Sequence, residues 1–207
     1  MEAVARHGMN LPNKLTVSRF FITGFFLVAL MSRAPYHEII SLTLFVAGGL
    51  TDYFDGVIAR REKLITNFGA LMDPLADKIL ICTAFIAFIE RGWIEAWMVV
   101  VVVARELAIT GLRLLAASQN VVLAAERYGK DKTISQIVAI ISVLVWASYK
   151  DKELGPIGEA IFGFQIFRPG PWVDWFRVLS LWVAVGLTFF SGVMYLWKNR
   201  SLYLQDR

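Results

Sequence analysis

The sequence predicts an all-α integral membrane protein, a bundle of six transmembrane helices with a short N-terminal interfacial segment. Three observations predict it. Hydrophobic residues make up 57% of the 207 and the mean hydropathy is +0.57. Charged residues make up only 18%, below the share of an ordinary soluble domain. The apolar residues fall in blocks near the length of about 17–25 residues that crosses a bilayer. A chain in hydrocarbon must satisfy its own backbone, and for runs this long that means helix.

The first span is expected over Leu15–Ser32, with Pro12 and Asn13 before it and Thr16 in its first turn. Met1 to Asn10 has one Arg, one Glu and no apolar core, so it does not read as a signal peptide and the first block is expected to be retained. The second span is expected over Ile39–Ile58 and the third over Pro74–Ile89. Pro74 would then sit in a first turn, where its missing N–H costs nothing. The fourth is expected over Ile94–Ala117, its start bracketed by Trp93 and Trp97. The fifth is expected over Thr133–Tyr149 and the sixth over Val173–Trp197, with Trp172, Trp175 and Trp197 as interfacial anchors near its ends. Lys150–Trp172, with Gly155-Pro156, Pro169-Gly170 and Pro171, reads as the longest turn-rich connector. No internal repeat is visible, and residues 1–207 read as a single membrane domain.

The net charge of +4 and pI near 9.3 do not point to nucleic acid, because the basic residues flank apolar blocks and no nucleic-acid motif is present. On one side lie Arg6, Lys14, Arg19, Arg60, Arg61, Lys63, Arg127, Lys130, Lys132, Lys198, Arg200 and Arg207. On the other lie Arg33, Arg91, Lys150, Lys152 and Arg168. The richer side is expected to be cytoplasmic, which puts both termini there and makes this a multi-pass protein of the cytoplasmic (inner) membrane. The single cysteine, Cys82, lies in an apolar run and reads as a packing residue, with no intrachain disulfide possible.

Four carboxylates interrupt the apolar pattern at the second–third connector, hence on the cytoplasmic side. The string runs from Asp52 through Asp55, Gly56, Ala59 and Arg60, then eight residues on to Gly69, Asp73 and Asp77. An Asp at the centre of a membrane helix costs about 2.5–3.5 kcal/mol, so four close together call for a compensating cation. Residues three apart on a helix lie about 60° from one another, and residues four apart about 40°. Each pair therefore points one way, and a short connector brings both pairs to one site. Hard oxygen donors from two helices suit Mg²⁺ or Mn²⁺, as one ion or as two about 3.5–4 Å apart. Gly56 and Gly69 allow close approach, Ala59 keeps the wall low, and Arg60 supplies a cation suited to phosphate. A single Asp would read as a helix-end carboxylate in water. Four, with two glycines and an arginine at these spacings, describe a diphosphate site.

The pattern D-x2-D-G-x2-A-R-x8-G-x3-D-x3-D resembles the signature of the CDP-alcohol phosphatidyltransferases, and every fixed position is met. The resemblance implies six membrane helices per protomer of a homodimer, and displacement of CMP from a CDP-linked lipid by an alcohol. It implies that Asp52, Asp55 and Asp73 are metal ligands. Asp77 would be the general base and also touch a second metal. Gly56, Ala59, Arg60 and Gly69 would shape the nucleotide site.

A second polar group also stands in apolar sequence. Arg105, Glu106, Thr110 and Arg113 lie in the fourth span, and Lys130, Lys132 and Gln136 open the fifth. Arg105 pairing with Glu106 or another acid is one reading, and a positive-inside flank is another for the lysines. Taken together, Arg105, Arg113, Lys130 and Lys132 are expected to form a basic pocket facing the carboxylates, suited to an acceptor that carries phosphate. The strings Ala104-Arg105-Glu106, Thr110-Gly111-Leu112-Arg113 and Gly129-Lys130-x-Lys132-Thr133 resemble the branch of the family that makes phosphatidylglycerophosphate. So does the opening Pro12-Asn13-Lys14-Leu15-Thr16-x-x-Arg19. That resemblance implies CDP-diacylglycerol as donor and sn-glycerol 3-phosphate as acceptor, with Asn13, Thr16 and Arg19 helping to hold the CDP-lipid phosphates. Transfer to inositol phosphate is an alternative within the family. A membrane prenyltransferase would be expected to show different Asp spacing and more spans. A metal-ion transporter would be expected to carry matching acids near the midplane of other helices.

Overall fold

The computed structural model describes residues 11–62, 67–119, 121, 128–165 and 170–204, with the side chains of 11–16, 52–62, 67–74, 77, 128–130 and 204 outside that description. The N-terminal interfacial segment lies outside the described residues. Among them there is no strand. The helices are α1 (Leu11–Met31), α2 (His37–Glu62), α3 (Asn67–Glu90), α4 (Ala96–Ser118), α5 (Tyr128–Lys150), α6 (Gly155–Phe162), α7 (Trp172–Lys198) and α8 (Ser201–Leu204). Two stretches, Asp131–Lys150 and Trp172–Lys198, are long and apolar enough to cross a bilayer, and the apolar stretches Val17–Met31 and His37–Thr51 are shorter.

Each of the six predicted blocks falls on a helix, and two local expectations are corrected. The third helix starts at Asn67, so Pro74 lies in its interior rather than in its first turn. There its missing N–H leaves the Ala70 carbonyl without the usual donor. The connector after Lys150 is not all turn, because it carries α6. Pro156 stands just inside the start of that helix, where a fixed φ favours it, and its Gly-Pro context reads equally well as a turn.

The chain divides into two compact units, Met1–Thr83 and Ala84–Arg207. In the first, α1 packs on α2 through the Phe26 and Phe45 rings, 5.9 Å apart. The α2–α3 approach is close: a Cβ on Gly48 would lie 3.0 Å from Leu80 Cδ2 and 3.4 Å from Ile22 Cγ2. Small residues permit such spacing, and van der Waals packing rather than a hydrophobic drive holds helices together in lipid.

In the second unit, α5 and α7 pack antiparallel along a line of polar contacts. Gln136 Nε2 donates to Thr188 Oγ1 at 2.9 Å, Ser142 and Ser180 share a hydrogen bond of 2.6 Å, and Trp146 Nε1 donates to Asp174 Oδ1 at 2.7 Å. As the α5 number rises, the α7 number falls. Ala139, Val143, Ala147, Leu181, Ala184 and Val185 fill the buried seam between these contacts. The C-terminal end of α3 closes by a glycine-terminated turn. Gly92 takes φ +68°, Gly92 N–H donates to Ile89 O and Trp93 N–H to Phe88 O, each at 2.9 Å.

Candidate functional site

All four aspartates lie on regular helix, Asp52 and Asp55 on α2 and Asp73 and Asp77 on α3. The two helices are separated only by residues 63–66 and meet at Gly48 and Leu80, so they run antiparallel. Register then sets the heights of the acids. At a rise of 1.5 Å per residue, Asp52 and Asp77 stand about 6 and 4.5 Å from that contact towards the connector. Asp55 and Asp73 each stand seven residues, or about 10.5 Å, from it. The backbone therefore sets the aspartates in two matched levels at one end of the helix pair. Aspartate is a hard oxygen donor of the kind that divalent cations take, and the backbone register puts four such positions at one end of the helix pair.

Gly56, Ala59 and Arg60 follow on α2, and Gly69 precedes Asp73 by one turn on α3. Asn13 and Thr16 lie in the first two turns of α1. The side chains of these residues lie outside the described ones. Arg19 is described, and is buried with 1% exposure. The Thr23 hydroxyl donates to its carbonyl at 2.8 Å, which tucks that side chain against α1 itself.

The basic residues belong to the second unit, where the structure sorts them. Glu106 on α4 is buried, with 7% exposure, and its Oε1 accepts from two cations. One is the Lys132 ammonium of α5, itself 6% exposed. The other is Arg105 Nη1 at 3.3 Å. The Arg105–Glu106 pairing that the sequence left open is therefore formed, and Lys132 joins it. The stem of Arg105 crosses α7 at Gly192, where an added Cβ would lie 2.8 Å from Arg105 Cγ. Arg105 Nε is buried with no hydrogen-bond partner.

Arg113 is exposed two turns further along α4. Its Nε donates to Tyr195 Oη at 3.4 Å, and its guanidinium lies 5.8 Å from the centre of that ring. Tyr195 in turn is buried against Ile109 and Leu112. The Thr110 hydroxyl donates to the Glu106 carbonyl at 2.7 Å, so it is occupied by its own helix. Gln136, 1% exposed, is tied to Thr188. Lys130 is the third residue of α5, and its side chain lies outside the described ones. Arg105 and Lys132 are thus brought together on one acid, while Arg113 and Gln136 are held by α7.

Sequence reasoning missed the α7 residues Thr188, Gly192 and Tyr195 because they sit in an apolar span. A signal was present. Thr188, Ser191, Gly192 and Tyr195 recur at i, i+3, i+4 and i+7, a small and polar stripe on one helix face, and all four are buried.

The family profile described as CDP-alcohol phosphatidyltransferase matches residues 9–190. A Bacillus subtilis (strain 168) protein named CDP-diacylglycerol--glycerol-3-phosphate 3-phosphatidyltransferase is 36% identical over 202 residues, covering 92% of this chain and 95% of its own. A protein of the same name from Rickettsia bellii is 31% identical, covering 90% of this chain and 93% of its own. Another from Cereibacter sphaeroides is 27% identical, covering 95% and 98%.

Proposed function

Because this chain belongs to the CDP-alcohol phosphatidyltransferase family, we propose that it transfers the phosphatidyl group of CDP-diacylglycerol to sn-glycerol 3-phosphate, giving phosphatidylglycerophosphate and CMP. The observation that carries this reading is the nearly full-length match to relatives named for that transfer. The matched levels of the four aspartates on α2 and α3 support it, since a diphosphate donor needs its charge met at one place.

Asp52, Asp55, Asp73 and Asp77 would hold Mg²⁺ or Mn²⁺, in one or two ions. When bound, the metal supplies positive charge that offsets the diphosphate and the departing CMP. Asp77 takes the proton of the acceptor hydroxyl. The freed oxygen forms a bond to the lipid-side phosphorus as the bond from that phosphorus to the CMP oxygen breaks. Arg60, with Gly56, Ala59 and Gly69 around it, receives the nucleotide diphosphate, and Asn13, Thr16 and Arg19 bear on the lipid-side phosphate. Arg105, Arg113, Lys130 and Lys132, with Thr110 and Gln136 beside them, receive the acceptor phosphate. Positioning of this kind supplies most of the rate in phosphoryl-type transfer.

The same reading makes residues 1–207 one domain of six spans in a homodimer. Both termini and the site then face the cytoplasm, as the lysine and arginine distribution favours. Phe25, Leu107, Leu114 and Phe189, all more than half exposed, fit contact with lipid chains better than with water.

The deciding experiment is CMP release by purified protein in detergent with CDP-diacylglycerol and Mg²⁺, offering glycerol 3-phosphate, inositol phosphate or serine separately. Release with glycerol 3-phosphate alone is expected. Release with another acceptor would keep the family chemistry and overturn the acceptor, and no release with any, from folded protein, would overturn the reading as a whole. Chelator is expected to stop turnover and Mg²⁺ or Mn²⁺ to restore it; activity that survives chelation would count against the carboxylate metal site. Arg113→Ala is expected to raise the KM for glycerol 3-phosphate about 10- to 100-fold, the equivalent of one charge-assisted hydrogen bond. The KM for CDP-diacylglycerol should stay near its starting value, and equal changes in both would remove Arg113 from the acceptor site.

A further inference from the structure

We infer that Glu106 is the positioning residue of the acceptor-phosphate site, its buried carboxylate holding the Lys132 ammonium and the Arg105 guanidinium side by side. The inference rests on the reading of Arg105 and Lys132 as acceptor ligands. It assigns a task to the acid that both of them touch, which that reading leaves idle.

Three observations carry it. First, a single oxygen, Glu106 Oε1, accepts from both cations, one from its own helix and one from α5. Two cations drawn to one oxygen repel each other, and burial with about a tenth of each side chain exposed weakens screening by water. The acid is what makes their closeness tolerable. Second, the one carboxylate oxygen is shared, so the Arg105 guanidinium, the further of the two at 3.3 Å, is only partly neutralised by it and stands in place to meet an arriving phosphate. Third, Arg105 is fixed from two directions, by Glu106 at its tip and by Gly192 beneath its stem, yet its buried Nε has no hydrogen-bond partner. A side chain held this firmly, with donor capacity unspent, is a prearranged anion ligand rather than a saturated structural ion pair.

Without the carboxylate the two cations would separate or one would shed its charge, and the geometry offered to phosphate would be lost. The carboxylate itself would touch no substrate. The expected signature is therefore a defect confined to one substrate.

The test is steady-state kinetics of Glu106→Gln and Glu106→Asp in the full-length protein, with each substrate varied separately. Glu106→Gln is expected to raise the KM for glycerol 3-phosphate about 10- to 100-fold, with the KM for CDP-diacylglycerol changed less than about twofold. Glu106→Asp keeps the charge on a shorter stem and is expected to recover only part of that loss, leaving the KM for glycerol 3-phosphate about three- to tenfold above its starting value. An unchanged acceptor KM in Glu106→Gln, or an equal rise in both KM values, overturns the inference. If Glu106→Gln does not accumulate as folded protein, Glu106→Asp decides alone: a rise in the acceptor KM only supports the assignment, and no rise overturns it. A wild-type protein that releases no CMP with glycerol 3-phosphate overturns the functional reading and this inference together. An active wild type without the split overturns only the role of Glu106.

Discussion

Asp77→Asn is expected to lower CMP release by about 10²- to 10⁴-fold, the range for loss of a positioned general base. CDP-diacylglycerol should still bind in the presence of Mg²⁺. Asparagine matches aspartate in size and helix tolerance, so the backbone of α3, on which Asp77 lies, has no reason to change. What is lost is a basic oxygen. Asp52, Asp55 and Asp73 remain to hold metal, and Gly56, Ala59, Arg60 and Gly69 remain to receive the nucleotide, so donor binding and chemistry should separate. Turnover is read by CMP release and binding by thermal shift with CDP-diacylglycerol. Activity within a few fold of the starting protein would remove Asp77 as the base. Loss of both binding and turnover would make it a metal ligand first.

The second large effect is on stability and arises at the other end of α5. Arg177 of α7 lies 4.0 Å from the centre of the Trp146 ring, and its Nη1 donates to the Trp93 carbonyl at 2.7 Å. The Trp93 and Trp146 rings meet edge to face at 6.2 Å, and Arg91 caps Trp93 at 5.0 Å. Asp174 takes the Trp146 indole N–H and also pairs with Lys150. One guanidinium therefore ties the segment after α3 and the ends of α5 and α7 together.

Arg177→Ala would remove a cation–π contact of about 2 kcal/mol and a charged hydrogen bond of about 1.5–3 kcal/mol. The two share one side chain and do not simply add, so a loss of about 3 kcal/mol is expected. The measurement is thermal unfolding in detergent, with a fall in Tm of several degrees. Arg177→Lys should lie between, because an ammonium keeps the charge and loses the flat stacking face. Trp146 is fourteen residues from Lys132 on α5, or about 21 Å, so turnover at low temperature should survive. An unchanged Tm in Arg177→Ala would mean that the cluster holds nothing together.

Much of the fold was legible because long apolar runs announce helices locally. Each of the six apolar runs lies on a helix, since hydrocarbon-length apolar sequence has few other ways to satisfy its backbone. Helix α6 was not legible, because Gly155-Pro156 suits a turn and a helix start equally well. Pro74 misled for a related reason. Proline favours a first turn, but the helix had already begun about two turns earlier, at Asn67.

The sequence by itself determined the family, the spacing of Asp52, Asp55, Asp73 and Asp77, and the helices that carry them. Spacing along one helix is a property of the chain alone, since 3.6 residues make a turn wherever the helix sits. Only the tertiary structure decided which charges meet. Lys132 reaches Glu106 across 26 positions, and Arg113 reaches Tyr195 across 82. Those pairings depend on how each helix is rotated and slid against its neighbour. Helices apolar on nearly every face leave that rotation undetermined by hydrophobic pattern, and close contacts such as Gly192 against Arg105 select it instead.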